Sequence, residues 1–528
     1  MTTYATRSPA DAAEAAPRAP AHLAHRRPAV PFYLPAVVAS LAAGTLSVLL
    51  GPRGLGYDPW SWLIWGRELV HGTFTTAGAA TSFKPLPVVV TAVFGWTSAA
   101  PMIWLAVARA GAALAIILAF RVGWRLAGPA AGLIGAVGLL ASSQYVTYLA
   151  TAGMSEPIGA ALTLVAVDAH LSRRRGLAVA MLWLAGLVRI EMWAFVALYG
   201  LWWLWRERGR RRLIVLGALA VLLVALPAAW FLPDYVTTGD LLRSAQDAAH
   251  QSQGGPLLAA VPALATFKEA AGLMPWPFTA AFCAELVIVG PVVLVRHRRV
   301  RVAWGLALAA FALVAIEAVM VQLDLDTAAP RYLLQSVAAG AVVAGCFAVD
   351  AVRWLAGLAR RPQGARSGGS GRPLGGGVSV VATLAAVVVV LGASAPNLVR
   401  TGRQIPPGVR GTRPLAILVR QLPEAIAQAG GRAHVLACGP VATAALQVPT
   451  VTWALDLPLG RVADHPAASG TVFSLGHDRP PVPAAWYGRY TTVGHTAPSG
   501  PRWREQTTCP PARWYLAHPA QERHAKTG

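Results

Sequence analysis

The stretch GLGYDPWSWLIWGRELVHGTFTTAGAATSFKPLP, from Gly54 to Pro87, connects two long apolar segments of the chain. It contains Asp58, Glu68 and Lys84 together with three tryptophans. Charged side chains are costly near the apolar part of a bilayer, so those that a membrane chain keeps there are candidates for function. This stretch therefore predicts a first loop, residues 52–87, that carries chemistry at the membrane surface.

The composition places the whole chain in a membrane. Of its 528 residues, 55% are hydrophobic and 13% are charged, whereas a soluble domain has about 25% charged residues. The net charge of +22 comes from short basic clusters between apolar runs, such as LSRRRG around Arg174 and WRERGRRR from Trp205. That distribution is the positive-inside signal of a polytopic membrane protein. It argues against a nucleic-acid partner.

Apolar segments of about 20 residues can cross a bilayer as helices. The segment Leu177–Trp205 has basic clusters at both ends and VRIE (Val188–Glu191) in its middle, which favours two short helices with Arg189 and Glu191 at their tip. One long helix with a buried ion pair is the alternative, although it breaks the alternation of sides. We call these two short helices the hairpin. With the hairpin counted as two spans, the sequence predicts about eleven. The others are Pro31–Gly51, Pro101–Arg121, Pro129–Leu149, Ser155–Leu171, Leu213–Leu232, Trp276–Val295, Val302–Leu323, Tyr332–Leu355 and Val378–Ala395.

The basic clusters predict the arrangement of the chain in a plasma membrane. Residues 1–30 are expected to form a disordered cytoplasmic tail, and residues 31–395 an all-α, multi-pass membrane domain. The segment Pro362–Gly377 is rich in glycine and is typical of a flexible cytoplasmic linker. Residues 396–528 are more polar and predict a small extracytoplasmic α/β domain.

The expected α/β domain has recognisable segments. TRPLAILVRQLPEAIAQAGG predicts an amphipathic helix ended by glycine. RAHVLACG, TVTWAL, TVFSLG and RYTTVGH predict short strands. Cys438 and Cys509 both fall in this part and can form a disulfide if it lies outside the cell, whereas Cys283 and Cys346 fall in apolar spans.

Isolated charges recur at the predicted outer ends of spans. Asp58 follows the first span, Lys84 precedes the next apolar segment, Glu156 begins a span, and Arg331 stands with Tyr332 at the mouth of another. Each has a structural explanation taken alone: an interfacial helix with tryptophans at the membrane–water boundary, an acid at a helix N-terminus, or a snorkelling arginine. Together they predict one external site.

Such a site suits transfer from a lipid-phosphate donor. A carboxylate can accept the proton of an attacking hydroxyl group. Lysine and arginine can hold a phosphate and stabilise the charge that it gains as it leaves. Nucleotide sugars are absent outside the cell, so an activated sugar there has to be carried by a lipid. Glu285 and Glu317 lie inside predicted spans and have no evident partner in the sequence.

Six segments in order carry a family resemblance: GYDPWSWLIWGRELVHG, SFKPLP, VARAGAALAIILAFRVGWRLAG, MSEPIG, GLVRIEMWAF and PRYLLQ. They resemble motifs of the GT-C superfamily of polyprenyl-phosphate-sugar-dependent glycosyltransferases, in the branch with protein O-mannosyltransferases and lipid A aminoarabinose transferases. The matches cover most of residues 30–345. Glu156 stands where the family usually has Asp.

The resemblance implies roles for these residues. Asp58 is expected to be the base or the acceptor-side acid, and Glu156 a second essential carboxylate. Lys84, Arg331 and Tyr332 are expected to bind the donor phosphate. The family reaction is usually a single inverting displacement. Further support for the site is expected from Tyr57, Arg67, Glu68, Arg189 and Glu191.

The resemblance leaves the cofactor open. Some relatives have a glutamate metal ligand before the lysine, where this chain has Phe83, and the sequence has no His/Cys cluster with zinc spacing. No metal ligand is therefore assigned, and a divalent ion stays an alternative.

The sequence thus predicts a membrane glycosyltransferase that moves a hexosyl or pentosyl group from a polyprenyl-phosphate-linked sugar to a glycan, lipid or protein outside the cytoplasm, among membrane lipids. Its Ala-, Arg- and Gly-rich composition is typical of an actinobacterial, high-GC source. A transporter or lipid flippase is one alternative, supported by Glu285 and Glu317. A non-catalytic envelope scaffold is the other.

Overall fold

The computed structural model describes residues 30–77, 83–142, 153–244, 246, 255–289, 298–326, 329–358, 387–388, 390, 392–400, 403, 419–427, 430–443, 447–464, 471–475, 503–507 and 514–515. Four features predicted from the sequence lie outside these residues: the N-terminal tail, the Pro362–Gly377 linker, the segment RYTTVGH and Cys509. The first half of the predicted span Val378–Ala395, residues 378–386, also lies outside them.

Helices form most of the described chain. In order they are α1 Val30–Leu50, α2 Tyr57–His71, α3 Pro85–Ala92, α4 Ala100–Ala127, α5 Pro129–Leu140, α6 Glu156–Leu171, α7 Arg175–Gly186, α8 Trp193–Arg206, α9 Gly209–Thr238, α10 Pro262–Leu273, α11 Trp276–Ala284, α12 Arg298–Gln322, α13 Leu334–Leu358, α14 Gly431–Ala437 and α15 Val448–Ala454. Short 3-10 turns cover Ile190–Met192, Gly255–Leu258 and Pro330–Leu333, and a π-helix covers Glu285–Val289.

Five of these helical segments are long and apolar enough to cross a membrane: Phe32–Leu50, Ala100–Ala127, Gly209–Thr238, Val302–Gln322 and Pro330–Leu355. Helices α10 and α11 form a sixth candidate that is bent by 113°. Within the described residues, α5, α6, α7 and α8 contain only 12 to 16 residues each, shorter than the roughly 20 that a straight span needs. The predicted count of eleven spans is therefore not confirmed.

Helix α4 is at the centre of the membrane part. It packs against α1, α5, α6 and α13. Its alanines Ala112, Ala115 and Ala119 are fully buried, and such small side chains let helix backbones approach closely where no hydrophobic effect drives association. Arg109, also on α4, donates to the carbonyl oxygens of Ser47 and Pro52 at 2.7 and 2.6 Å. This arginine ties α4 to the end of α1, at the start of the first loop.

Gly44 on α1 is the point of closest approach to α4. A Cβ atom at this position would lie 2.3 Å from the carbonyl oxygen of Ala106 and 2.8 Å from the backbone nitrogen of Ala110. We expect Gly44→Ala to lower the free energy of unfolding by roughly 1–3 kcal/mol, because neither backbone atom can move without separating the helices. Thermal unfolding of the purified protein in detergent measures the effect.

Gly217 on α9 provides the matched control, since a Cβ atom there would meet nothing within 4 Å. Gly217→Ala should leave the unfolding temperature unchanged or raise it, because alanine is the better helix former. Equal unfolding temperatures for the two variants would show that α1 and α4 are not packed as described.

The C-terminal unit, by which we mean the described part of residues 419–515, is built on a five-stranded mixed sheet. The strands are β1 Val441–Thr443, β2 Val462–Ala463, β3 Thr471–Leu475, β4 Trp503–Thr507 and β5 Trp514–Tyr515. Their order in the sheet is β2-β1-β3-β4-β5, with β1 parallel to β2 and β3, β4 antiparallel to β3, and β5 antiparallel to β4. An apolar core that includes Leu422, Val435, Val451 and Phe473 joins the sheet to its helices.

The structure corrects two of the predicted strands. TVFSLG does form strand β3, but RAHVLACG lies in α14 and TVTWAL lies in α15. Pro449 in the first turn favours a helix start, and burial of Val435 and Val451 against the sheet outweighs the β propensity of these segments. Residues 419–427, within the predicted amphipathic helix, are helical.

The described cysteines differ in their bonding state. Cys438 is disulfide-bonded, while Cys509, its predicted partner, is outside the described residues. Cys283 and Cys346 have free thiols, and Cys346 is buried in α13.

Candidate active site

Helix α2 positions Asp58 at the start of the first loop. The helix begins at Tyr57, with Asp58 in its first turn, where a negative charge is stabilised by the helix dipole. The sequence offered an interfacial helix with tryptophans at a membrane–water boundary as an alternative explanation, and the structure shows two of these rings facing the protein interior. Trp62 and Trp65 are fully buried within the protein, 5.6 Å from the ring of Trp104 and 5.4 Å from that of Phe83. The wide apolar rings stabilise α2 more by packing against neighbouring helices than by facing headgroups.

Lys84 lies at the other end of the loop, directly before α3. The proline that follows restricts Lys84 to an extended backbone, which ends the loop and starts the helix. Its ammonium group is 2.8 Å from the Oε1 atom of Glu156 and 3.4 Å from the Oγ atom of Ser155. The side chains of Lys84 and Glu156 are only 3% and 2% exposed. A charge pair this buried requires a direct partner, and each residue supplies it for the other.

Arg331 connects this pair to Asp58. Its Nη2 atom is 2.9 Å from Oδ2 of Asp58, and its Nε atom is 3.8 Å from Oε1 of Glu156. Its Nη2 atom also donates to the hydroxyl oxygen of Tyr332 at 3.1 Å. Four charged residues from four separate segments thus form one chain of ionic contacts, which we call the charge network: Asp58, Arg331, Glu156 and Lys84. The sequence predicted that these residues converge, and the structure brings them together.

The network opens towards Asp58. The side chains of Asp58 and Arg331 are 14% and 18% exposed, in contrast to the buried Lys84–Glu156 pair. A ligand therefore reaches Asp58 and Arg331 first.

Arg189 forms a second group of contacts beside this network. It is ion-paired with Glu191, and its Nη2 atom lies 3.4 Å from Oε2 of Glu317 and 3.1 Å from Oδ2 of Asp326. Its guanidinium group stacks on the ring of Tyr332 at 3.6 Å. The predicted break into two short helices is present, since α7 and α8 are separate helices joined by a segment with a 3-10 turn that contains Glu191. The hairpin tip therefore borders the charge network.

The sequence missed part of this second group. Glu317 had no assignable partner, and its contact with Arg189 depends on the packing of the hairpin beside α12. Asp326 was not singled out, although it stands five residues before Arg331 in DLDTAAPRYLLQ. That proximity to a predicted site residue was the available signal.

Glu191, Glu317 and Asp326 are the described residues best placed to hold a metal ion. They offer carboxylate oxygens that all lie within 4.8 Å of one another, and oxygen ligands suit magnesium, manganese or calcium. Arg189, however, already contacts all three acids and supplies positive charge between them. An ion would have to displace this guanidinium group, so the arrangement gives no support for a metal beyond the acids themselves.

Several buried polar atoms around Lys84 lack a hydrogen-bond partner within the described structure. They include Oε2 of Glu156, Nε of Arg331 and Nε1 of Trp62, and further from the lysine Oε1 of Glu317 and Nε2 of Gln335. Buried polar groups are nearly always hydrogen-bonded in folded proteins. Among these atoms, Nε of Arg331 and Nε1 of Trp62 are donors that an oxygen-rich anion can accept from, whereas the carboxylate oxygens are acceptors.

Arg67 and Glu68 contact a different part of the chain from the charge network. Arg67 pairs with Asp456 at 2.7 Å and donates to the carbonyl oxygen of Leu457 at 2.8 Å. Glu68 accepts the backbone N–H of Leu459 at 2.6 Å. These two predicted supporting residues bind the C-terminal unit, and their described contacts do not include the charge network. Tyr57 remains beside Asp58, and burial raises the pKa of its hydroxyl group.

Burial raises the pKa of Glu68 to about 7, although two backbone N–H groups and Arg67 oppose the shift. An unfolded chain releases this proton near pH 4.5. Between these values the folded protein holds a proton that the unfolded chain has lost, so folding stability falls as pH rises through this window. Glu68→Gln cannot ionise, so we expect its stability relative to the unmodified protein to rise by roughly 2 kcal/mol as the pH goes from about 5 to above about 7. Thermal unfolding across this pH range measures the difference, and parallel pH profiles for the two proteins would contradict it.

Structural comparison finds similar folds among solved membrane proteins. One is the crystal structure of ArnT from Cupriavidus metallidurans in the apo state, with a TM-score of 0.46 and 15% identity over 84% of this chain and 93% of that one. The same protein bound to undecaprenyl phosphate gives a TM-score of 0.45 and 15% identity, over 85% and 93%. The apo oligosaccharyltransferase of Archaeoglobus fulgidus gives 0.40 and 14%, over 71% and 56%.

No family model and no curated protein sequence matches the chain.

Proposed function

We propose that this chain is an integral-membrane glycosyltransferase that moves a sugar from a polyprenyl-phosphate donor to a hydroxyl group of an extracytoplasmic acceptor. One observation carries the proposal: two cations and two carboxylates from distant segments meet in one network with one buried and one accessible end. The neutral sum of these four charges makes their burial tolerable. A phosphate can replace the Asp58 carboxylate at Arg331, and the released carboxylate lies at the accessible end of the network.

The donor phosphate binds at Lys84 and Arg331 in this mechanism. The Nε atom of Arg331 has no hydrogen-bond partner among the described residues, and the planar guanidinium group matches the geometry of a phosphate. As the bond between the sugar and the phosphate oxygen breaks, the departing phosphate gains negative charge. The two cations stabilise that charge where it develops, while Glu156 holds Lys84 in position.

Asp58 acts on the acceptor. Its carboxylate takes the proton of the acceptor hydroxyl group as the hydroxyl oxygen attacks the anomeric carbon. In a single displacement the new bond forms as the bond to phosphate breaks, and the configuration of the anomeric carbon inverts. In the structure the Asp58 carboxylate is engaged by Arg331 at 2.9 Å. A donor phosphate that takes over Arg331 releases the carboxylate, which can then contact the acceptor hydroxyl group.

The contacts of the C-terminal unit support its proposed location. Arg67 and Glu68 of the first loop bind this unit directly, so the loop and the unit lie on the same side of the membrane. The basic clusters support the proposal that this side is outside the cytoplasm, in a multi-pass plasma-membrane protein with a cytoplasmic N-terminus.

The transporter alternative is weaker than the sequence implied. One of its two supporting acids, Glu317, is bound by Arg189 in the group beside Tyr332. Only Glu285 remains apart from these residues within the described structure.

A reconstitution experiment tests the proposed function. The full-length protein is placed in liposomes with a panel of radiolabelled polyprenyl-phosphate sugars and an envelope extract as the acceptor source. We expect transfer of label from lipid to acceptor and release of polyprenyl phosphate. Movement of an intact lipid-linked sugar between leaflets without transfer would indicate a flippase, and neither reaction would indicate a scaffold. Mass spectrometry of envelope glycans and exported proteins from a deletion strain identifies the sugar and the acceptor.

A further inference from the structure

Helix α2 is held at both ends by different parts of the chain. Its first turn carries Asp58, which pairs with Arg331 of the membrane part. Its last turns carry Arg67 and Glu68, which bind Asp456, Leu457 and Leu459 of the C-terminal unit. We call this second set of contacts the α2 joint. A helix is stiff over this length, with a rise of about 1.5 Å per residue, so a constraint at one end acts on the other.

The α2 joint is a packed interface. Glu68 is 3% exposed and Leu459 2% exposed. Leu459 lies in the same apolar core as Trp60 and Leu63 of α2. Trp453 lies 5.9 Å from the ring of Trp60, and the guanidinium group of Arg67 lies 4.8 Å from the ring of Trp453. Apolar packing, an ion pair and two hydrogen bonds thus act together over one small area. Their combined strength exceeds that of an exposed ion pair.

Glu68 connects two backbone segments within this area. One carboxylate oxygen accepts the N–H of Leu459 at 2.6 Å, and the other accepts the N–H of Thr75 at 3.4 Å, in the part of the first loop that follows α2. The same side chain therefore ties the C-terminal unit to both α2 and the loop leading towards Lys84. Loss of this carboxylate leaves a buried backbone donor unpaired, which is costly.

We propose that the C-terminal unit is a positioning element of the active site and that Glu68 is its positioning residue. By holding the C-terminal end of α2, the α2 joint sets the place of Asp58 relative to Arg331. The inference rests on the proposed function for its catalytic consequence, but not for the positioning itself. Glu68 touches no substrate in this account and acts through α2.

The test compares Glu68→Ala, which removes the acceptor of the Leu459 N–H, with Glu68→Gln, which retains an acceptor oxygen. Glu207→Ala is the matched control, because Glu207 also pairs with an arginine, Arg175, at 2.8 Å but belongs to the turn between α8 and α9. Hydrogen exchange of the full-length protein in nanodiscs reports backbone protection of residues 57–66 without any activity. Steady-state transfer kinetics report kcat and the donor KM separately.

We expect Glu68→Ala to reduce protection at residues 57–66 and to lower kcat by about 10- to 100-fold, since small displacements of a reacting group cost this much. The donor KM should change far less, because Lys84 and Glu156 lie outside the α2 joint. Glu68→Gln should restore both readouts, and Glu207→Ala should match the unmodified protein.

The positioning role is overturned if Glu68→Ala exposes the Leu459 amide but leaves residues 57–66 protected, or if kcat is unchanged. It is also overturned if Glu68→Gln fails to restore protection. An unmodified protein without transferase activity would defeat the proposed function instead, and the exchange data would still decide whether the C-terminal unit holds α2.

Discussion

Asp58→Asn is expected to abolish sugar transfer while leaving the donor site intact. The variant keeps the size of the side chain but cannot take a proton, and loss of a general base costs at least about 100-fold in rate. The neutral amide also no longer competes as an anion for Arg331, which in the unmodified protein lies 2.9 Å from the Asp58 carboxylate. Polyprenyl phosphate should therefore bind this variant at least as tightly. Single-turnover transfer and equilibrium binding of polyprenyl phosphate measure the two effects.

Glu285→Gln is the control for removal of a buried acid. Glu285 is 3% exposed and lies in the π-helix that follows α11, away from the described contacts of the charge network. This variant should transfer sugar at the normal rate if the protein is a glycosyltransferase. Normal activity of Asp58→Asn would rule out the assigned base. A transport defect in Glu285→Gln, with Asp58→Asn unaffected, would favour the transporter.

Lys84→Met is expected to lose donor binding and also to destabilise the protein. A charge-assisted hydrogen bond to phosphate contributes about 1.5–3 kcal/mol, which corresponds to roughly a 10- to 100-fold weaker affinity. The substitution also leaves Glu156, which is 1% exposed, without its closest partner. Breaking such a buried pair costs about 3–5 kcal/mol of folding stability. Binding of polyprenyl phosphate and thermal unfolding in detergent measure the two losses.

A second substitution separates the two effects. Lys84→Met combined with Glu156→Gln removes both charges, so stability should return towards that of the unmodified protein while donor binding stays weak. Lys268→Met removes a charge from an exposed position on α10 and should change neither property. If the double variant regains donor affinity, Lys84 is a structural partner of Glu156 and does not hold the phosphate.

The two substitutions act at opposite ends of one network. Asp58 lies at its accessible end and is free to exchange partners, whereas Lys84 and Glu156 are enclosed and depend on each other. The charge network therefore has one enclosed, fixed end and one accessible end that can change partners. This explains why a chemical defect is expected at Asp58 and a combined binding and folding defect at Lys84.

Much of the candidate site was predictable because charge is rare in this chain. In a sequence with 13% charged residues, an acid or a cation at the end of an apolar segment is conspicuous, and desolvation forces such residues to find one another. Asp58, Lys84, Glu156 and Arg331 were each found by this logic. The hairpin with Arg189 and Glu191 at its tip was predictable for the same reason.

Other features depended on packing and could not be predicted. Apolar aromatic residues gain free energy equally from lipid headgroups and from a protein core, so the sequence could not show that Trp62 and Trp65 face inward. Short segments such as TVTWAL suit a strand or a helix until a sheet lies beside them. Arg67 and Glu68 stand near Asp58 in sequence, but their partners are some 390 residues away.

The sequence by itself determined the membrane class and the few charged residues that a bilayer protein can keep, since both follow from the cost of placing polar groups among apolar ones. Only the tertiary structure decided which of those charges pair, that Arg331 bridges Asp58 and Glu156, and that Glu68 serves the C-terminal unit. Pairing depends on distances of a few ångströms between distant segments, and such distances arise only when the helices pack.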